Sequence, residues 1–393
     1  KIYTNSSTAS GTNSVAIGLS NKSVGNYSVA IGEGNNETEA TTGEFSFAMG
    51  RYNISTGKSS VVIGDTNYAN AQYSVAIGQN NNYDMNYAPT SSGDYSITMG
   101  QRNQAIGHYS IAMGEKNTAD GDGSVAMGKE NEAGVASTGK YAVAMGEKNI
   151  ASGECSVAMG YNNKSGDYSV AMGRTNQALT QYSVAMGQAN TISGAYAVAI
   201  GLDNEAASYA VAIGDDNSVG IRGVAIGTDN TTTLVTHEYS VAIGYNNEVN
   251  HTHAVAIGRE LKTTGENSFV CGAWNDETSP SGMIFSVGNG TSTGGGRDNI
   301  IYATSSEFHC TGDIVAFSTS DSRLKTNLKN IKNPLDKIQK INGYTFDWIE
   351  NSELHSNKGN DVGVIAQEVE EILPEVVTTR KNGYKAVKYE KIV

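Results

Sequence analysis

Between Val15 and Gly272 the apolar positions follow a period of two that restarts again and again. In Tyr27-Ser28-Val29-Ala30-Ile31-Gly32, Val29 and Ile31 share one parity while Ser28, Ala30 and Gly32 take the other, the signature of a short β-strand. The same six residues return at Tyr73 to Gly78 and Tyr239 to Gly244. Taking the closing glycine as a marker gives eighteen units from Gly18 to Gly272, most of them 14 residues apart, several 13, with longer steps of 17, 18 and 22 that read as loop insertions. Small residues such as Ala105, Ala119, Ala133, Ala151 and Ala178 lie five positions after the glycine, marking a second short strand. Each unit is therefore predicted to be one coil of two strands and two turns, and the coils to stack as parallel strands roughly 4.8 Å apart. Seventeen such steps give a rod roughly 80 Å long.

Two side-chain arrangements satisfy this pattern. If the small residues of both strands face each other, the coil is thin, and Val29, Ile31, Val157, Met159, Val198 and Ile200 form an outer apolar stripe that copies of the same chain must cover. If Val and Ile face inward, Ala faces out and the interface between copies is weaker. Asparagine stands three residues after the marker in seventeen units, and only Leu261 departs. Its expected role is to close turns and form a stacked hydrogen-bonded ladder, in preference to binding ligand.

The grammar changes toward the C-terminus. After Asn275 the period is lost, and Val287 to Ser320 reads as a β-rich connector with glycine turns, Ile300-Ile301 and Ile314-Val315 being strand-like. Asn333-Pro334 predicts a helix with an asparagine N-cap and a stop at Gly343. Tyr344 to Trp348 reads as a strand, Val362 to Glu375 as a strand leading into a helix that Pro374 ends, and Asn382-Gly383 as a hairpin turn between Val376-Val377 and Tyr384 to Tyr389. The predicted domains are thus 1–276, 277–319 and 320–393.

Composition sharpens that boundary. Of 46 glycines only Gly343, Gly359, Gly363 and Gly383 lie beyond residue 319. The last 74 residues hold 12 Lys+Arg and 11 Asp+Glu, so a net charge of −13 divides into −14 upstream and +1 downstream. An acidic surface of this kind repels phosphate backbones and argues against nucleic acid as a partner. No apolar run approaches the length of a membrane span, so membrane insertion is not expected, and no secretion signal opens the chain at Lys1. Cys155, Cys271 and Cys310 are too few and too distant for a disulfide scaffold or a zinc site. They read as reduced or buried thiols, consistent with assembly in a reducing compartment.

The repeat resembles the head of YadA-like trimeric autotransporter adhesins, whose motif is N-S-V-A-I-G, over about residues 10 to 276. The resemblance implies a mainly β fold, a left-handed parallel β-roll solenoid that is obligately trimeric and serves to bind surfaces. Here the residue before the serine is usually tyrosine, as at Tyr168, Tyr182 and Tyr196, where the family has asparagine.

Ser320-Asp321-Ser322-Arg323-Leu324-Lys325 opens the last segment. A serine and a lysine together cleave an amide when the amine is neutral, which requires burial. Serine and lysine five apart are, by themselves, an ordinary surface coincidence. With "GYTFDW" and "GVIAQEVEEILPEVV" following in order, however, residues 320–393 resemble the α+β C-terminal intramolecular chaperone autoprotease of endosialidase-type phage tail spikes and fibres. The resemblance implies that Ser320 is the nucleophile, Lys325 its general base, Asp321 and Arg323 supporting residues, and Thr319–Ser320 the scissile bond. Family members usually continue past the point where "VKYEKIV" stands here.

Together the resemblances imply a homotrimeric phage tail fibre or spike segment in the virion, assembled in the host cytoplasm and adsorbing to a bacterial surface receptor, a glycan or outer-membrane component. The insertions Glu37 to Glu44, Asn80 to Asp94 and Thr231 to Glu238 are candidate contact loops. The competing expectation is a bacterial trimeric adhesin, which would continue into a coiled-coil stalk and membrane barrel. No cofactor is expected, and no paired carboxylates point to polysaccharide cleavage. His251-Thr252-His253 is the one candidate metal pair, with a solvated loop as its ordinary reading.

Overall fold

The computed structural model describes residues 4–36, 43–81, 93–135, 139–232, 238–263, 265–278, 282–292, 296–314, 320–349, 358–380 and 382–392. The chain divides into two compact units, 1–302 and 303–393.

The first unit is a parallel β-roll. Each of the eighteen units contributes a five-residue strand, from Val15–Leu19 to Phe269–Ala273, and most add a two-residue strand such as Gln104–Ala105 or Thr118–Ala119. Neighbouring long strands pair in parallel with matching residues opposed: Ile111 faces Val125, Ala112 faces Ala126 and Gly114 faces Gly128. The register survives the longest insertion, since Val75 pairs with Ile97 and Gly78 with Gly100 across a step of 22 residues.

Of the two side-chain arrangements, the structure adopts the one with alanine inside. Ala30, Ala48, Ala76 and Ala112 of the long strands are fully buried, as are Ala105, Ala119, Ala151 and Ala178 of the short ones. Val29 and Ile31 are only half-buried and lie on the outer side, where Met49, Met99, Ile200, Ile226 and Ile257 are exposed. A core this thin buries little apolar area per coil, so polar groups must be satisfied almost completely.

The asparagine column does this. Asn117 Nδ2 lies 2.9 Å from Met113 O, 2.7 Å from Gly128 O in the next coil and 3.0 Å from Asn103 Oδ1 in the previous one. Its own Oδ1 accepts from the backbone N–H of Asn131 at 3.1 Å and from Asn131 Nδ2 at 2.9 Å. The marker glycine is fixed by the same turn. Gly114 has φ of 118°, and a Cβ there would fall 2.0 Å from Gly128 O. Leu261, which replaces asparagine once, is fully buried, and Asn247 Oδ1 accepts from its N–H at 3.0 Å.

The roll runs further than its sequence period suggests. Phe285–Asn289 continues the parallel register, with Phe269 opposite Phe285 and Gly272 opposite Gly288. Here Ser286 and Val287 keep the alternation, although the asparagine three residues after the glycine is gone. Ile300 and Ile301 lie in the strand Asn299–Ala303, as expected. Ile314 lies in no strand, and Val315 is outside the described residues.

The second unit is small and mixed. Helix α1 spans Pro334–Ile338 and helix α2 spans Ala366–Ile372. Tyr344–Asp347 pairs antiparallel with Asn360–Gly363, and Val377–Thr379 with Lys385–Val387, closing the expected hairpin. Two expectations need correction. Asn333 makes no side-chain cap bond, because it adopts a left-handed conformation (φ 48°), and α1 stops well before Gly343. Among the described residues, the buried core of this unit is confined to Val369, Leu373 and Val376, packed with Ile341, Val364, Ile372, Val377, Val387 and Ile392. Leu324, Leu328, Leu335 and Val362 are each at least 70% exposed.

Of the two alternatives for the cysteines, reduced or buried, the first holds. All three are free thiols, but Cys155 is exposed and Cys271 and Cys310 are half-buried. Burial does push the Cys271 thiol above its ordinary range.

Candidate functional site

The Ser320–Lys325 segment is ordered around one short turn. Asp321 caps a 3-10 helix at Ser322–Leu324, its carboxylate accepting from the Arg323 backbone N–H at 2.8 Å. The same carboxylate receives the Arg323 guanidinium through Nη2 at 2.7 Å and Nε at 3.1 Å. Arg323 and its N–H hold the Asp321 carboxyl below the usual carboxylate range, and Asp321 raises the guanidinium in return. Reversing the chain at this turn brings Lys325 Nζ to 2.6 Å from Ser320 Oγ. Sequence separation alone would not have joined them, and the Asp321–Arg323 clasp sets the turn. Both side chains are exposed. Thr319, the other side of the expected scissile bond, lies outside the described residues.

The histidine pair resolves into two separate roles. His251 Nδ1 lies 2.9 Å from Thr263 Oγ1, and the His253 ring stacks on Tyr239 with centroids 5.3 Å apart. Among the described residues no cluster of three or more potential metal ligands occurs. Of the expected contact loops, residues 37–42, 82–92 and 233–237 lie outside the described residues.

His253 belongs to the column of residues that precede the serine position, whose stacking the alternation pattern alone does not show. The position before the serine is left-handed in coil after coil, with φ of 57° at Tyr27, 60° at Tyr109 and 59° at Tyr196. The asparagine of the resembling motif visits this conformation readily, whereas for other side chains it costs about 1–2 kcal/mol. Tyrosine recovers part of that cost by stacking. Tyr73, Tyr95 and Tyr109 stack at 4.8 and 5.1 Å, and Tyr168, Tyr182, Tyr196 and Tyr209 at 5.2, 4.9 and 5.1 Å. Arg222 stands at the same position, its guanidinium 5.4 Å from the ring centroids of both Tyr209 and Tyr239 and paired with Glu238 at 2.6 Å. The fixed tyrosine period in a parallel register was the available signal. At the other bend of the coil, Arg259 lies 4.5 Å from the Trp274 ring and 5.7 Å from that of Tyr245.

Comparison with known proteins assigns both parts. The YadA head domain repeat matches residues 9–35, 55–81, 105–131, 137–163, 165–190 and 238–260, and the family described as chaperone of endosialidase matches residues 320–378. The chain carries YadA head repeats and an endosialidase chaperone domain. It is also similar to long tail fiber protein Gp37 of Salmonella phage S16, 34% identical over 128 residues that make up 31% of this chain and 15% of that protein. Gp37 of Enterobacteria phage K3 is 41% identical over 58 residues, 15% of this chain and 5% of the relative. Gp37 of Enterobacteria phage Ox2 is 32% identical over 106 residues, 24% of this chain and 41% of the relative. The chain thus covers less than half of each of these relatives' length. Head repeats, chaperone domain and tail-fibre relatives together support a phage tail-fibre component.

Proposed function

We propose that this chain is a trimeric segment of a phage tail fibre, in which the β-roll is presented to the bacterial surface and residues 320–393 drive assembly and then cut themselves away before Ser320. The outward stripe of Val, Ile and Met along the roll supports association, because an exposed apolar stripe of that length needs covering. The second unit supports it independently, since a domain with so few buried apolar residues and exposed Leu324, Leu328 and Leu335 lacks a sufficient core of its own.

The observation that carries the self-cleavage is the 2.6 Å separation of Lys325 Nζ and Ser320 Oγ. Ser320 Oγ attacks the Thr319 carbonyl carbon while its proton passes to the Lys325 amine. The C–N bond to Ser320 then breaks, and that nitrogen takes the proton from Lys325, leaving an ester between the Thr319 acyl group and the Ser320 side chain. Water opens the ester, giving the Thr319 carboxylate and a new amino terminus at Ser320. The base must be neutral at the moment of attack, and burial disfavours a charged amine. Covering this exposed turn by neighbouring copies would therefore make cleavage follow assembly. The test is the denatured mass of the full chain beside Ser320→Ala. Loss of 74 residues from the parent alone is expected, and two uncut chains would refute the proposed cleavage.

A further inference from the structure

We infer that a run of methionines in the outward stripe of the roll is a modification site, at which oxidation of the thioethers by a peroxide blocks association of the copies. This rests on the trimer reading above and adds a redox control to it.

On the outward face, the residue before the marker glycine is isoleucine on either side of the run: Ile63 and Ile77 precede it, and Ile200, Ile213 and Ile226 follow. Between them, seven successive coils carry Met99, Met113, Met127, Met145, Met159, Met172 and Met186, each opposite the next in parallel register. At the strand spacing this is a continuous thioether strip roughly 29 Å long. Met99 and Met186 are exposed, and the five between them are half-buried. The packing within the chain does not distinguish these coils. Ala112, Ala126 and Ala144 are fully buried beneath methionines, as are Ala212, Ala225 and Ala242 beneath isoleucines, and the asparagine ladder continues through both. Isoleucine, being β-branched, also fits a strand better. The exchange therefore acts on what the stripe meets, the facing copies, where unbranched thioethers adapt to one another. With Met49, eight of the chain's 10 methionines stand in this one column, so its oxidisable sulfurs are gathered on the surface that assembly covers.

In a chain that has not yet associated, these sulfurs are open to hydrogen peroxide. The sulfur lone pair attacks one peroxide oxygen and the O–O bond breaks. The sulfur keeps that oxygen, and the hydroxyl left behind takes its proton and departs as water. Sulfur is oxidised by two electrons and the peroxide is reduced by the same two. The product is a polar sulfoxide that accepts hydrogen bonds, whereas the Val, Ile and Met side chains of a facing stripe offer no donor. Burying it between copies therefore leaves a desolvated, unpartnered oxygen in each coil of the run. Sulfoxide reductases return the thioether, so the block is reversible before assembly. After assembly the strip is covered and the reaction is slow.

The test uses the full chain with Met→Gln at all seven positions, which sets a polar group where the sulfoxide would stand, and with Met→Leu at the same positions as the apolar control. Native mass and circular dichroism are recorded for both variants and the parent. Sulfoxides in the parent are mapped after hydrogen peroxide treatment, folded and in denaturant. The expected result is a trimeric parent and leucine variant, and a monomeric glutamine variant with the parent's β signal. Oxidation of the run should be at least about tenfold slower in the folded parent than in denaturant. A trimeric glutamine variant, or a trimeric parent whose run oxidises as fast folded as unfolded, overturns the redox control and leaves the trimer standing. A glutamine variant without the β signal overturns it by making the run part of the roll's own fold, and a monomeric leucine variant by making shape, and not polarity, decisive. A monomeric parent overturns both readings.

Discussion

At the scale of the residue, the roll depends on polar satisfaction more than on apolar mass. From Asn35 to Asn247 the asparagines of the column tie their own coils to both neighbours, so deleting one side chain strands several buried groups together. In Asn117→Ala the carbonyls of Met113 and Gly128 and the N–H of Asn131 all lose a partner. A local destabilisation of roughly 3 kcal/mol or more is expected. Hydrogen exchange should show faster exchange at Gly128 and Asn131 with distant coils unchanged, since a solenoid couples mainly nearest neighbours. Unaltered exchange there would contradict the ladder. The asparagine role was legible from its fixed place after a glycine, because few residues close a turn while pairing along a stack. The left-handed tyrosines were not, because alternation reports which face a side chain takes and says nothing of the backbone sign at a bend.

At the scale of the element, identical register turns each column into a continuous structure in which a single foreign residue is a substitution in a stack. Cys155 occupies the column position between Tyr141 and Tyr168, and Asp167 stands where Glu238 stands beside Arg222. Cys155→Arg should therefore build a second guanidinium sandwich and stabilise the roll by about 0.5–1 kcal/mol. Chemical denaturation checks this, and a lowered midpoint would show that the column does not accept guests generally. Pattern reading worked best for these elements, since eighteen restarts of one alternation leave little freedom. It failed where a single element depended on its surroundings. Helix α1 has only the five residues Pro334–Ile338, and the left-handed Asn333 removes the cap that its sequence advertised. The coil at Phe285–Asn289 lies beyond the eighteen units because parallel pairing and a Ser-Val-Gly alternation closing on Gly288 persist after the asparagine column has ended at Asn275.

At the scale of the whole molecule, one chain leaves two kinds of unfinished surface: the outward Val, Ile and Met stripe of the roll and the exposed leucines of the second unit. The stripe was readable in the sequence as one of two alternatives, and the burial of alanine decided between them. The closeness of Ser320 and Lys325 was suggested only through resemblance, because five residues of spacing say nothing about distance until the Asp321–Arg323 clasp folds the turn to bring Lys325 Nζ within 2.6 Å of Ser320 Oγ. In the proposed trimer each of these surfaces has neighbouring copies to cover it, and in that proposal assembly supplies the environment that the exposed Ser320–Lys325 pair lacks in a single chain. The most direct measurement is the native mass of the purified full chain. A species of three copies of the 41.3 kDa chain, or of three chains each shortened at Ser320, is predicted. A stable monomer at micromolar concentration would contradict the account at its centre.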